Sequence, residues 1–348
     1  LNDSEIEQLL ASRRTEDRIR AVNLLRAHSG PRLQELLLRA LKDRSSYVAT
    51  TAAEILGEYA EWGTAAEMRE RFLELSKDGP LHDPGCHIRS HLAFAFGRLE
   101  FTPASDALEL GLKAEQIEAV AGVPFDTAAH LRANCALALG QMHAHESTRH
   151  VALLLFEPGF SGGARQKTLD GNQGAETRKA AARALRLMGD PSGLMALAIK
   201  LKYPAQEAPE VLQECMESVV GLAPDDVVDI LQPYLDHSDQ GLAAYAALMI
   251  AKSGVHEGIR LVLDAVKRLS GDPLAATVMG LAALRSDDAV EATSMLSNDL
   301  RVEVRLAVVE AMGAVAIEPF RKVLTQMAEY DRWPRVRESA RRALQRFR

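Results

Sequence analysis

Seven of the ten histidines of this 348-residue chain fall between positions 82 and 150, together with two of its three cysteines. The densest run, LHDPGCHIRSH, offers His82, Asp83, Cys86, His87 and His91. Imidazole, thiolate and carboxylate are the donors that hold zinc and related ions. His87 and His91 are four apart, so a helix would set both on one face, where they could share one ion. His130 stands two residues before Arg132, as His87 stands two before Arg89. Stacked repeats would make those positions neighbours. His82, Cys86, His87, His91 and His130 are thus the candidate metal ligands. Against them, the chain has no C-x-x-C pair and the spacing matches no common zinc module. Histidine is also at home at helix starts, so no metal or other cofactor is expected.

Two further stretches concentrate chemistry. GFSGGARQKT (Gly159 to Thr168) is glycine-rich and basic. It lacks the GK[ST] ending and preceding strand of a phosphate loop, and no GxGxxG motif occurs in the chain. RWPRVRESARRALQRFR holds seven arginines against one acid over residues 332–348. Val336, Ala340, Ala343, Leu344 and Phe347 make one helical stripe there, which predicts a capping helix over 334–347 with a charged outer face. Arg335, Arg341, Arg342 and Arg346 are its candidate contacts for an acidic partner, or for nucleic acid.

The elements that would position these residues repeat. An apolar residue, an arginine, small and apolar residues and often a glycine recur in IRAVNLL from Ile19, IRSHLAFAFG from Ile88 and LRANCALALG from Leu131. TRKAAARAL from Thr177, VRLAVVEAMG from Val304 and VRESARRAL from Val336 continue the series. Arg20, Arg89, Arg132, Arg178, Arg305 and Arg337 share one register, and an acid stands shortly before each. Apolar residues at three- and four-residue spacing mark one helical stripe. Small residues let such a helix pack closely on both sides. The glycines Gly57, Gly97, Gly140 and Gly313 read as left-handed helix ends. Intervening segments such as PRLQELLLRAL after Pro31 supply a partner helix for each unit. The prediction is an all-α, α-α superhelix of nine or ten antiparallel pairs over 1–348. Insertions fall near 76–86, 111–127 and 157–174, and insertions commonly gather on a binding face.

This register resembles the HEAT-repeat superfamily, in particular the short-repeat kind also found in phycobilin lyases. Gly122 to Met142 and Ala208 to Asp236 also resemble segments of uncharacterised bacterial HEAT-repeat proteins. The resemblance implies that the six arginines form a structural ladder with acids and helix ends of neighbouring repeats. It also brings in a di-iron hydroxylase, whose His-Glu pairs open matching helices. Here His145-Glu146 and His256-Glu257 follow the Ala-rich helices instead, so that register fails. A DNA glycosylase of similar fold needs a basic face rich in aromatics. This chain has two tryptophans, Trp62 and Trp333, and a net charge of -7.

Composition agrees with the repeats. Roughly three residues in ten are Ala or Leu and 5% are aromatic, which excludes a β-sandwich, a barrel or a disordered chain. Three dispersed cysteines form no disulfide framework and fit the cytoplasm. No apolar run approaches a membrane span. The opening LNDSEIEQLL reads as a helix start, with Ser4 and Glu7 at capping-box spacing. The expected function is a non-enzymatic scaffold that binds a protein or peptide on the concave surface of the stack. The alternatives are a metal-dependent or lyase-type enzyme at the histidine-rich repeats, or nucleic-acid binding through the arginine-rich end.

Overall fold

Alanine and leucine lose little conformational freedom in a helix, and their dominance yields twenty-one α-helices among the described residues. The computed structural model describes residues 2–120, 122–157, 174–204 and 207–347. The chain opens with α1 (Asp3–Leu10) and α2 (Thr15–Leu25), then α3 (Leu33–Leu41) and α4 (Ser46–Tyr59). Next come α5 (Ala65–Leu75), the single turn α6 (Gly79–His82) and α7 (His87–Arg98). α8 (Ser105–Leu112) precedes the strands β1 (Ile117–Val120) and β2 (Val123–Asp126) and then α9 (Ala129–Gln141). α10 (Thr148–Leu154) precedes α11 (Ala175–Met188), and α12 (Ser192–Lys202) precedes α13 (Pro209–Leu222). The remaining pairs are α14 (Val227–Leu231) with α15 (Gln240–Lys252), and α16 (His256–Val266) with α17 (Gly271–Ala283). α18 (Asp287–Leu296) with α19 (Val302–Val315), and α20 (Glu318–Tyr330) with α21 (Pro334–Leu344), close the series. The result is ten pairs of the all-α, α-α superhelix class.

The described residues group into two compact units. One comprises Leu1–Lys200 with Ala205–Ser218, the other Leu201–Pro204 with Val219–Arg348. In the first, the second helices of successive pairs lie side by side, in the order α2, α4, α7, α9, α11. In the second, α15, α17, α19 and α21 do the same. We call these the inner helices. An inner helix is flanked on both sides, which is why its small residues are buried: Ala133, Ala136 and Ala138 in α9, Ala181, Ala182 and Ala184 in α11.

The glycines do other work than expected. Gly97, Gly140 and Gly313 lie inside their helices, and only glycine fits there. A Cβ on Gly140 would stand 2.9 Å from Ala184 Cα, one on Gly97 2.8 Å from Ala138 Cα, and one on Gly313 2.7 Å from Ala343 Cβ. They permit close approach of consecutive inner helices. The left-handed residues come three positions later, at Glu100, His143 and Ala316. The first helix is likewise capped elsewhere than predicted. Asn2 and Glu5 form the capping box, because the helix begins at Asp3 rather than after Ser4.

Of the insertions, residues 76–86 contain α6 and the turn Pro84–Cys86, and residues 111–127 contain an antiparallel hairpin. That hairpin pairs Ile117 with Asp126 and Val120 with Val123, and Gly122 supplies the positive φ of its turn. All but the two ends of 157–174, and with them the glycine-rich run, lie outside the described residues. α21 covers most of the expected 334–347.

Candidate functional site

Of the six register arginines, five hydrogen-bond to the loops before inner helices, and Arg20 is exposed. Arg89, Arg132 and Arg305 are 4–5% exposed, on the first turn of α7, α9 and α19. Each reaches forward to the loop before the next inner helix. Arg305 Nε donates to Asp331 at 2.8 Å, and Arg178 Nε to Glu207 at 2.9 Å. Arg132 donates to Glu157 at 3.1 Å, and Arg89 to the Gln116 side chain at 2.7 Å. Arg337 Nη1 bonds the Asp331 carbonyl at 2.6 Å. In the first repeat the position belongs to Arg18, which is 4% exposed and donates to Asp43 at 2.7 Å, while Arg20 is exposed. The spacing held the signal. Arg18 to Asp43 and Arg132 to Glu157 are both 25 residues, and Arg305 to Asp331 is 26.

The acids act twice. Asp43 Oδ1 accepts the Ser45 N–H at 2.7 Å, and Asp331 Oδ1 the Trp333 N–H at 2.8 Å, so each also shapes the turn into its own inner helix. Burial opposes ionisation of Glu207, and hydrogen bonds from Arg178 and Lys200 outweigh it, holding the carboxyl below its ordinary range. These groups satisfy one another, and the arrangement fastens one repeat to the next.

The candidate metal ligands divide. His82 is exposed on α6. Cys86 is buried in a left-handed conformation at the start of α7, and Arg89 Nη2 lies 3.2 Å from its sulfur. Burial raises its thiol to about 11, so it stays protonated and is a poor ligand or nucleophile. Cys135 and Cys215 are buried and their thiols are pushed up in the same way. Asp83 is consumed by the Ile88 and Arg89 N–H groups and by Arg89 Nε at 2.9 Å. Sequence reasoning missed the base of the hairpin in this network. Glu118 accepts from Gly85 N at 2.8 Å and from Thr127, and Gln116 Nε2 donates to the Asp83 carbonyl at 3.1 Å. The alternation in IEAVAGVPFD around Gly122 was the available signal. His87 and His130 stand close enough to His91 for their charges to act on it. Burial lowers the pKa of His91, Glu54 opposes this, and the charges of His87 and His130 lower it further. Among the described residues no three His, Cys, Asp or Glu side chains converge as a metal ion would require.

Each unit carries grooves on its inner helices. In the first unit, Phe94, Leu137 and Leu187 with Asn134, Gln141 and Arg183 line a depression of about 180 Å³ across α7, α9 and α11. In the second, Ala244, Tyr245, Leu248, Pro273 and Ala276 line an apolar one of about 280 Å³ between α15 and α17. Another, of about 410 Å³, lies between α19 and α21. Leu306, Val309 and Ala343 form its apolar part, and Arg335, Arg342 and Arg346 edge it together with Glu310 and Glu338. Three of the four arginines predicted to meet an acidic partner thus share one groove. Arg341 is exposed but does not line it.

No protein-family model matches the chain, and no curated protein matches it. Solved structures do. Importin beta matches over 99% of this chain and 57% of its own, at 10% identity and a TM-score of 0.54. Kap121p bound to the extreme C-terminus of the protein phosphatase Cdc14p matches over 99% of this chain and 42% of its own, at 11% identity and a TM-score of 0.50. The fold is that of the HEAT-type helical solenoids. The chain spans about half the length of these two. The complex of CpcE and CpcF of phycocyanin lyase from Nostoc sp. PCC7120 covers 92% of this chain and 97% of its own, at 18% identity. Its TM-score of 0.39 is too low to bear an argument.

Proposed function

We propose that this chain is a non-enzymatic scaffold that binds a protein or peptide on the face presented by its inner helices, the concave one in a superhelical stack. The carrying observation is where the side chains go. The ladder arginines and their acids are largely buried and bonded to one another between repeats, and the thiols are buried. Exposed mixtures of apolar, amide and charged groups line three grooves on the inner helices, and a further groove of about 310 Å³ lies on α5. Grooves with an apolar floor and a polar rim suit a protein segment. Kap121p, of similar fold, holds the C-terminus of another protein, and the same mode is proposed here. The three free thiols suit the cytoplasm as the working compartment.

The test is affinity capture followed by identification of the bound protein, using the full chain. Leu137→Glu should abolish capture, while Met195→Glu, an exposed change on the outer helix α12, should leave it intact. A partner retained by Leu137→Glu and lost with Met195→Glu would overturn the inner-face reading.

A further inference from the structure

The groove between α19 and α21 carries an arginine pattern that its own neighbours leave unused. Arg335 and Arg346 make no ion pair among the described residues, and Arg342 has only a long, exposed contact to Glu338 at 3.7 Å. Arg335, Arg342 and Arg346 are separated by seven and four residues. The turn after α21 continues its path, with Arg346 N bonded to the Ala343 carbonyl at 3.0 Å. At about 1.5 Å per residue the three lie on one side of the helix, spaced by roughly 10 Å and 6 Å. An extended peptide advances about 3.3 Å per residue and turns every second side chain to one face, so groove-facing carboxylates four and then two residues apart lie within reach of these flexible arginines.

We infer that this groove binds an extended acidic peptide whose carboxylates stand at the first, fifth and seventh positions of the bound stretch. The inference rests on the scaffold reading above and names the partner's chemistry. Guanidinium groups hold carboxylates by paired, charge-assisted hydrogen bonds. The apolar floor of Leu306, Val309 and Ala343 receives the intervening side chains. Glu310 and Glu338 stand among the arginines and decide against the other anionic occupant. A nucleic acid presents an unbroken run of phosphates, which both glutamates would repel, whereas a peptide can leave those positions neutral or basic.

Fluorescence anisotropy with the full chain and a labelled alanine-based peptide tests this. One peptide carries glutamates at the first, fifth and seventh positions, and a second carries three consecutive glutamates. A single-stranded oligonucleotide is the third probe. The spaced peptide should bind about tenfold more tightly than the clustered one. Arg342→Glu and Arg346→Glu should each weaken it about tenfold or more, and Arg341→Glu, an equal change of net charge outside the groove, less than about twofold. Thermal melting of each variant checks that the fold is retained. Equal binding of both peptides, an equal loss with Arg341→Glu, or tighter binding of the oligonucleotide with a steep salt dependence would overturn the inference. If the spaced peptide fails while capture by the full chain still depends on Leu137, only the acidic-peptide assignment falls. If both fail, the scaffold reading falls with it.

Discussion

Arg305 and Arg342 belong to neighbouring inner helices and have opposite surroundings. Arg305 is 4% exposed and spends its guanidinium on Asp331 and on the carbonyls of Asp299 and Leu300. Arg342 lies on the open face with one distant acid. The difference follows from position around the helix. The ladder register of an inner helix meets the loop of the next repeat, where an acid and free carbonyls await a cation. Arg342, five residues past the ladder position Arg337 and well over a quarter turn around the helix from it, faces an open groove. A residue type therefore holds the stack together at one register and remains available to a partner at another.

The largest way to break this contrast is to remove the buried cation. Arg305→Ala leaves Asp331 without its partner in a site with little water, and should cost about 3–5 kcal/mol. Arg18→Ala should fall in the same class, and Arg20→Ala should not. Urea unfolding of the three variants checks this, and a cost for Arg20→Ala equal to that for Arg18→Ala would refute the corrected register.

The helix seams come next. Gly140→Val drives a side chain into the backbone of Ala184, and Ala136→Leu or Ala181→Leu overfills sites with no exposed area. Each should lower stability by roughly 1–3 kcal/mol in the same assay. An unchanged midpoint would mean these helices are not tightly flanked. At the exposed register, Arg342→Ala should change stability by no more than about 0.5 kcal/mol. Its effect belongs to peptide binding.

The smallest expected effect concerns His91. Burial holds its pKa below the ordinary 6.5, so the folded protein favours the neutral ring. Above 6.5 the ring is neutral folded or unfolded. As pH falls below that value the unfolded chain takes up the proton first, and stability declines until the folded pKa is passed. His91→Gln should flatten this part of the profile, seen in melting temperatures between about pH 7 and pH 5. An identical slope in both proteins would show that other groups carry the acid sensitivity.

Much of the architecture was legible from the repeated Arg, the Ala-rich runs and the length of the period. These are local properties: helix propensity, a periodic apolar stripe and a recurring charge. The site was less legible. His87 and His130 act electrostatically on His91, yet Cys86 turns inward and His82 stands exposed on α6. Spacing along a chain does not report which way a loop turns. Arg18 was masked by Arg20, two residues away in a similar setting. Only the distance to a downstream acid distinguishes them.

By itself the sequence determined an all-α fold of nine or ten helix pairs, with tight alanine-lined inner helices and an arginine recurring at one register. Tertiary structure decided which arginine joins the ladder in the first repeat, and that the glycines serve helix contact rather than helix ends. It also decided that the insertion after α8 makes a hairpin whose base completes the Arg89 network. Lastly, it gathered Arg335, Arg342 and Arg346 with Leu306 and Val309 into one groove. The reason is common to all four. Each depends on what a neighbouring element places opposite the residue, and that juxtaposition exists only once the helices pack.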